Sequence, residues 1–258
     1  MKVVILAGGR GSRISEETEV LPKPMIEIGG KPMIWHIMKL YSFYGYNEFI
    51  VCLGYRGYML KEYFSHYFMH MSDVTIDLSR NETKIHTTTS EPWKITLVDT
   101  GLETMTGSRI KRVQKYVGNH PFLLTYGDGL SDVNIKKLVQ FHKKNKGLAT
   151  LTAIQTAGRF GIVSIDQGSK VSSFLEKPTG GDRWINGGFF VLEPEIFDFI
   201  KNNDTVVWES EPLENLAKKG KLRAYKHPGF WGCMDTLRDK INFERIWQSG
   251  NIPWKVWQ

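Results

Sequence analysis

The chain has 258 residues, enough for one large core or two small ones, and its 41% hydrophobic and 24% charged content is that of an ordinary globular protein. No apolar run approaches the ~20 residues that cross a bilayer, and two cysteines, Cys52 and Cys233, give neither a disulfide framework nor a zinc pattern. The formal charge of +7 is scattered, its densest run (Lys143-Lys144-Asn145-Lys146) suiting a helix end, so nucleic acid is not the expected partner.

Val3-Val4-Ile5-Leu6 predicts a buried strand that runs straight into Ala7-Gly8-Gly9-Arg10-Gly11-Ser12-Arg13. Glycines placed directly after a strand leave backbone N–H groups bare, and such a turn can wrap phosphate oxygens. Arg13 and Lys23, the latter inside Pro22-Lys23-Pro24, add positive charge beside it. Together they point to a nucleoside triphosphate or another polyphosphate. The dinucleotide fingerprint fits poorly, because Ile14 stands where its third glycine belongs. No P-loop sequence is present either. Val3 to Ala7 is too short for a secretory core segment, and the cytoplasm is the expected compartment.

A helix is expected over 32–45, with Pro at its start and Gly at its end. A second strand follows over 48–53 and a second helix over 58–68. His66 and His70 share a face there, but Tyr67 stands where a zinc-protease motif needs Glu. A hairpin around Ser79-Arg80-Asn81, a helix over 107–117 and a strand over 122–125 come next. The strand–helix rhythm predicts an α/β fold with a mostly parallel sheet flanked by helices. Ligands should then gather at the carboxyl ends of the strands. The glycine turn and Tyr126-Gly127-Asp128-Gly129 both sit at such ends. Asp128, between two glycines, suits a magnesium ion shared with a triphosphate, or else caps the following turn.

The later half is richer in short strands, over 149–154, 161–165, 171–175 and 188–192. Helices are expected over 194–200, 211–219 and 236–248. Asn186 and Gly187 suit sugar hydroxyls, the first by donating and accepting, the second by allowing close approach. Trp184 and Trp231 suit a sugar ring or ordinary packing. Asp235, just before a helix, reads by its residue type as an N-cap. With no clear linker, residues 1–258 are expected to form a single domain of two halves, about 1–130 and about 131–258, which the family resemblance below assigns to the nucleotide and to the sugar phosphate.

Leu-Ala-Gly-Gly-x-Gly-Ser-Arg followed by Pro-Lys-Pro and Gly30-Lys31-Pro32 resembles the opening of the sugar-1-phosphate nucleotidyltransferases. The likeness runs nearly the whole chain, through Arg159-Phe160-Gly161, Glu176-Lys177-Pro178 and the Trp231-to-Asp235 segment. Ser15 to Thr18 and Thr104-Met105-Thr106-Gly107-Ser108-Arg109 are similar to its cytidylyltransferase branch. The resemblance implies a Rossmann-like nucleotidyltransferase fold with a smaller strand-rich sugar half. It implies transfer of a cytidylyl group from CTP to α-D-glucose 1-phosphate, with Mg2+ as cofactor. A thymidylyl- or uridylyltransferase is the alternative within the family. A non-catalytic sugar-nucleotide sensor and an NAD-binding oxidoreductase are the rivals outside it.

By the resemblance, Leu6, Ala7, Gly8, Gly9, Gly11, Ser12, Arg13, Lys23, Thr104, Arg109 and Gly127 bind the nucleotide. Gly161, Glu176, Lys177, Asn186 and Gly187 bind the sugar phosphate. Asp128 and Asp235 hold the metal, and Arg13, Lys23 and Asp128 carry the catalysis. A homo-oligomer, with a hexamer among the forms, is also implied.

Overall fold

The computed structural model describes residues 1–11, 14, 20–155 and 184–258, with the strand backbones over 162–165 and 171–175. Gly161, Glu176 and Lys177, like Ser12 and Arg13, lie outside the described residues.

In chain order come β1 (Val3–Leu6), a 3-10 turn at Lys23–Met25, β2 (Glu27–Ile28), β3 (Lys31–Pro32), α1 (Met33–Phe43) and β4 (Glu48–Leu53). Then follow α2 (Gly57–His70), β5 (Ser72–Asp77), β6 (Glu82–Thr88), β7 (Lys94–Asp99), α3 (Thr106–Arg112), α4 (Gln114–Val117), β8 (Phe122–Tyr126) and β9 (Gly129–Ser131). The later part carries α5 (Ile135–Asn145), β10 (Ala149–Ile154), β11 (Ile162–Ile165), β12 (Val171–Leu175) and β13 (Ile185–Leu192). A 3-10 turn at Pro194–Phe199, α6 (Glu211–Lys218), β14 (Leu222–His227), β15 (Trp231–Cys233) and α7 (Leu237–Gln248) complete it.

The central sheet has seven strands in the order β14-β10-β13-β8-β1-β4-β7. All neighbours are parallel except those of β13, which runs antiparallel to both β8 and β10. The mixed α/β class read from the strand–helix rhythm is the class observed. Alternation along β1, β4, β8 and β13 feeds two cores. Val3 and Ile5 face one, with Phe49, Val51, Leu123 and the apolar sides of α1 and α5. Val4 and Leu6 face the other, with Ile50, Cys52, Leu124 and the apolar sides of α3 and α6. A strand buried on both faces has to be apolar throughout, which is why β1 and β4 read as unbroken hydrophobic runs.

Three details differ from expectation. The helix expected over 107–117 is broken at Val113, whose φ of −95° and ψ of 2° leave α-helical geometry. The segment over 194–200 is a 3-10 turn. Strands β7 and β14, the two edges of the sheet, carry Lys94, Thr96, Arg223 and Lys226 among their apolar residues, and this polarity hid them.

Candidate active site

The register of the sheet builds the site. Leu6 of β1 stands opposite Tyr126 of β8, so both strands end at one level. The Gly127 N–H donates to the Leu6 carbonyl at 2.9 Å, which holds the glycine turn against the Gly127-Asp128 segment. A side chain on Gly127 would meet the Leu6 carbonyl oxygen and the Pro24 ring, each at 3.0 Å. Antiparallel pairing of β9 with β15 sets Cys233 opposite Gly129, and the Met234 N–H donates to the Asp128 carbonyl at 2.8 Å. Residues more than a hundred positions apart thereby bring Asp128 and Asp235 together.

Lys23 sits between them. Its Nζ donates to Asp128 Oδ2 at 2.7 Å and to Asp235 Oδ1 at 2.6 Å. Proline on either side and the Met25 N–H bonded to the Pro22 carbonyl at 2.7 Å fix the backbone that presents it. Burial works to lower the ammonium pKa, but the Asp128 charge and the hydrogen bonds to both carboxylates outweigh it and the net shift is upward. The two competing readings of Asp235 separate here. Thr236 is the N-cap of α7, its hydroxyl accepting from the Asp239 N–H and forming a capping box. The Asp235 carboxylate points into the site instead.

A cleft of about 350 Å³ opens beside this triad, lined by Leu6 to Gly9, Gly11, Lys23, Thr104 to Thr106, Arg109 and Tyr126 to Asp128. A second, of about 240 Å³, is lined by Asp128, Asn186 to Gly188, Trp231, Cys233 and Asp235, with Tyr126. They meet at Tyr126 and Asp128. The residues assigned from sequence thus divide into two groups, and the triad stands where the clefts join.

Arg109 forms part of the cleft wall, and its guanidinium is anchored by the protein itself. Nη1 donates to Leu53 O, Thr100 Oγ1 and Gly101 O at 2.7 to 2.9 Å, and Nη2 to Gly8 O and Leu102 O at 3.1 and 3.2 Å. The guanidinium thus ties the glycine turn to the ends of β4 and β7. Thr104 Oγ1 accepts from Arg112 Nη1 at 3.0 Å.

Two residues escaped the sequence reading. The Tyr126 hydroxyl donates to Glu209 and accepts from Asn186 Nδ2 at 3.3 Å, and Glu209 also accepts from Thr106 Oγ1 at 2.8 Å. Burial and the Glu209 charge push the Tyr126 phenol well up, so it stays protonated and donating. Tyr126 could have been found, being the residue before Gly127-Asp128. Glu209 sits in an acidic stretch that carries no such signal.

The donor set fits a hard divalent cation. Asp128, Asp235 and Cys233 each offer an atom within 4.8 Å of the others. The carboxylates already hold a positive charge between them, as a magnesium site must. Burial and the neighbouring Asp128 push the Cys233 thiol well up, and a hard cation such as magnesium takes oxygen ligands in preference to sulfur.

The family model for nucleotidyl transferases matches residues 2–231. The chain is 56% identical, over the full length of both, to the glucose-1-phosphate cytidylyltransferase of Salmonella typhi. It is 45% identical, again over the full length of both, to the probable glucose-1-phosphate cytidylyltransferase of Bacillus subtilis. The solved structure of HddC from Yersinia pseudotuberculosis superposes with a TM-score of 0.69, covering 95% of this chain and 99% of that one at 22% identity, a likeness of fold alone. With the glycine turn, the Lys23–Asp128–Asp235 cluster and this full-length similarity together, the chain belongs to the nucleotidyl transferase family and groups there with the glucose-1-phosphate cytidylyltransferases.

Proposed function

We propose that the protein transfers a cytidylyl group from CTP to α-D-glucose 1-phosphate, giving CDP-glucose and pyrophosphate. The observation that carries this reading is the Lys23–Asp128–Asp235 triad at the junction of two clefts, in a chain 56% identical to a cytidylyltransferase throughout. A phosphate oxygen of the sugar phosphate attacks the α-phosphorus of the nucleotide in line. The bond from that phosphorus to the bridging oxygen breaks, and pyrophosphate leaves with its electron pair. Such a reaction needs positioning and charge neutralisation rather than a covalent intermediate.

Magnesium held by Asp128 and Asp235 would neutralise charge shared between the nucleotide and the sugar phosphate. The protein does the rest. The turn from Ala7 to Gly11 lines the nucleotide cleft with backbone, and Arg109 holds its shape. Lys23, which lines the nucleotide cleft, would meet the α-phosphate, and Asn186 and Gly187, which line the second cleft, would meet the sugar. Arg13 for the leaving pyrophosphate, Ser12 for the nucleotide, and Gly161, Glu176 and Lys177 for the sugar phosphate rest on the family resemblance. Thr104 and Arg109 stand in the wall where the base would lie.

Our reading of the assembly is a homo-oligomer. Exposed Tyr58 and Phe68 on α2, with Ile76, Leu78 and Ile85 on the β5–β6 hairpin, favour it, and sedimentation tests it. No helix of the described residues is long and apolar enough to cross a membrane.

The testing experiment measures pyrophosphate release from CTP, dTTP, UTP, ATP and GTP in parallel, with glucose 1-phosphate and magnesium. Release confined to CTP is expected. Release from dTTP or UTP instead would overturn the base assignment while keeping the reaction.

A further inference from the structure

Lys23 occupies the place a divalent cation needs. Its ammonium lies 2.7 Å from Asp128 and 2.6 Å from Asp235, the two carboxylates that line the second cleft. The Lys23 side chain keeps only 11% of its surface exposed, and that of Asp235 only 12%. Two cations cannot share this position, because like charges a few ångströms apart in a half-dry site repel strongly. A metal ion and the Lys23–Asp pairs therefore exclude one another. Lys23 has somewhere to go, since it also lines the nucleotide cleft, whereas Asp235 lines only the second one. Its four-carbon stem lets the ammonium swing while the prolines keep its backbone fixed.

We infer that Lys23 is a displaceable occupant of the metal site: in the nucleotide-free protein it closes Asp128 and Asp235 to divalent cations. The phosphates of an arriving nucleotide then draw the ammonium off, and the metal takes its place. This inference rests on the nucleotidyl-transfer reading of the site. It makes metal and nucleotide binding mutually reinforcing, each favouring the arrangement the other needs. It also gives one lysine successive duties, as internal counter-ion before binding and as a phosphate contact after it.

The test uses nucleotide-free protein and Mn2+ as probe, with free Mn2+ followed by electron paramagnetic resonance. Lys23→Gln should bind one Mn2+ about ten-fold or more tightly than the wild type. The double variant Lys23→Gln with Asp235→Asn should lose that gain. Equal affinity in wild type and Lys23→Gln overturns the inference, as does a gain that survives Asp235→Asn. Should Lys23→Gln fail to fold, the wild type decides alone. Acetylation of Lys23 by acetic anhydride, quantified by mass spectrometry, should rise as Mn2+ is added. Labelling unchanged at saturating Mn2+ overturns the exchange. Neither measurement contains nucleotide, so both report on the exchange whichever triphosphate the pyrophosphate assay selects.

Discussion

Lys23 is both counter-ion and candidate reactant, and the two roles predict different losses. Reading the chain alone, one expects Lys23→Ala to cut turnover sharply with little loss of folding. The structure adds a cost, because the substitution leaves Asp128 and Asp235 facing each other without a cation. Removing one partner from a buried ion group is destabilising in its own right. Asp128 keeps 28% of its side chain exposed, which softens the effect to an expected loss of about 2 kcal/mol. Urea denaturation reads that loss, and pyrophosphate release should fall about a hundred-fold or more beside it. The raised Lys23 pKa gives the alkaline side of the same argument. The folded pKa lies above the unfolded value, so the contribution is complete below pH 10.5 and is lost only as pH rises through the folded pKa. Neutral pH leaves the triad intact.

At the scale of elements, α1 and the C-terminal segment are joined by a histidine that has to stay neutral. His36 is fully buried; its Nε2–H donates to the Ile28 carbonyl at 2.9 Å and its Nδ1 accepts from Trp254 Nε1–H at 3.4 Å. Burial, partly opposed by the Ile28 bond, lowers its pKa from 6.5 to about 4. The unfolded chain therefore takes up a proton between these values that the folded chain refuses. Stability should fall as pH drops from 6.5 towards 4, by on the order of 3 kcal/mol at full protonation. Denaturation midpoints across this window check it, and His36→Leu should flatten the slope. The glycine turn makes a second prediction. A Cβ on Gly8 would lie 2.3 Å from Arg109 Nη1, and that guanidinium is pinned by its carbonyl partners. Gly8→Ala should raise the KM for nucleotide about ten-fold or more while leaving the KM for sugar phosphate near its original value. Equal rises in both would point to general loosening of the site.

Across the whole molecule, the nucleotide-side strands β1, β4 and β7 and the later strands β10, β13 and β14 lie in one continuous sheet. The two cores cover opposite faces of that sheet, and both contain residues from each half of the chain. Opening either half strips apolar surface from the other, so a single cooperative unfolding transition is expected. Scanning calorimetry checks it, and two separated transitions would divide the chain into independent units.

Much of this architecture is written locally. Apolar runs mark β1 and, over Phe49 to Leu53, β4, because strands buried on both faces need apolar residues throughout. Pro32 and Gly45 bound α1, and glycines at the end of β1 announce a backbone-lined cleft. Edge strands β7 and β14 were harder to see, since one margin of each meets solvent and tolerates charge. The sequence by itself determined the α/β class and the position of the glycine turn, and it pointed to Lys23 and Asp128 by their setting and to Asp235 only through the family resemblance. Only the tertiary structure decided that Asp235 faces Lys23 rather than capping α7, and that Arg109 anchors the turn. It alone revealed that Glu209 fastens Tyr126 between the clefts. Each of these depends on contacts between residues distant in the chain, and side-chain partners of that kind are set by sheet register and packing, which no local pattern encodes.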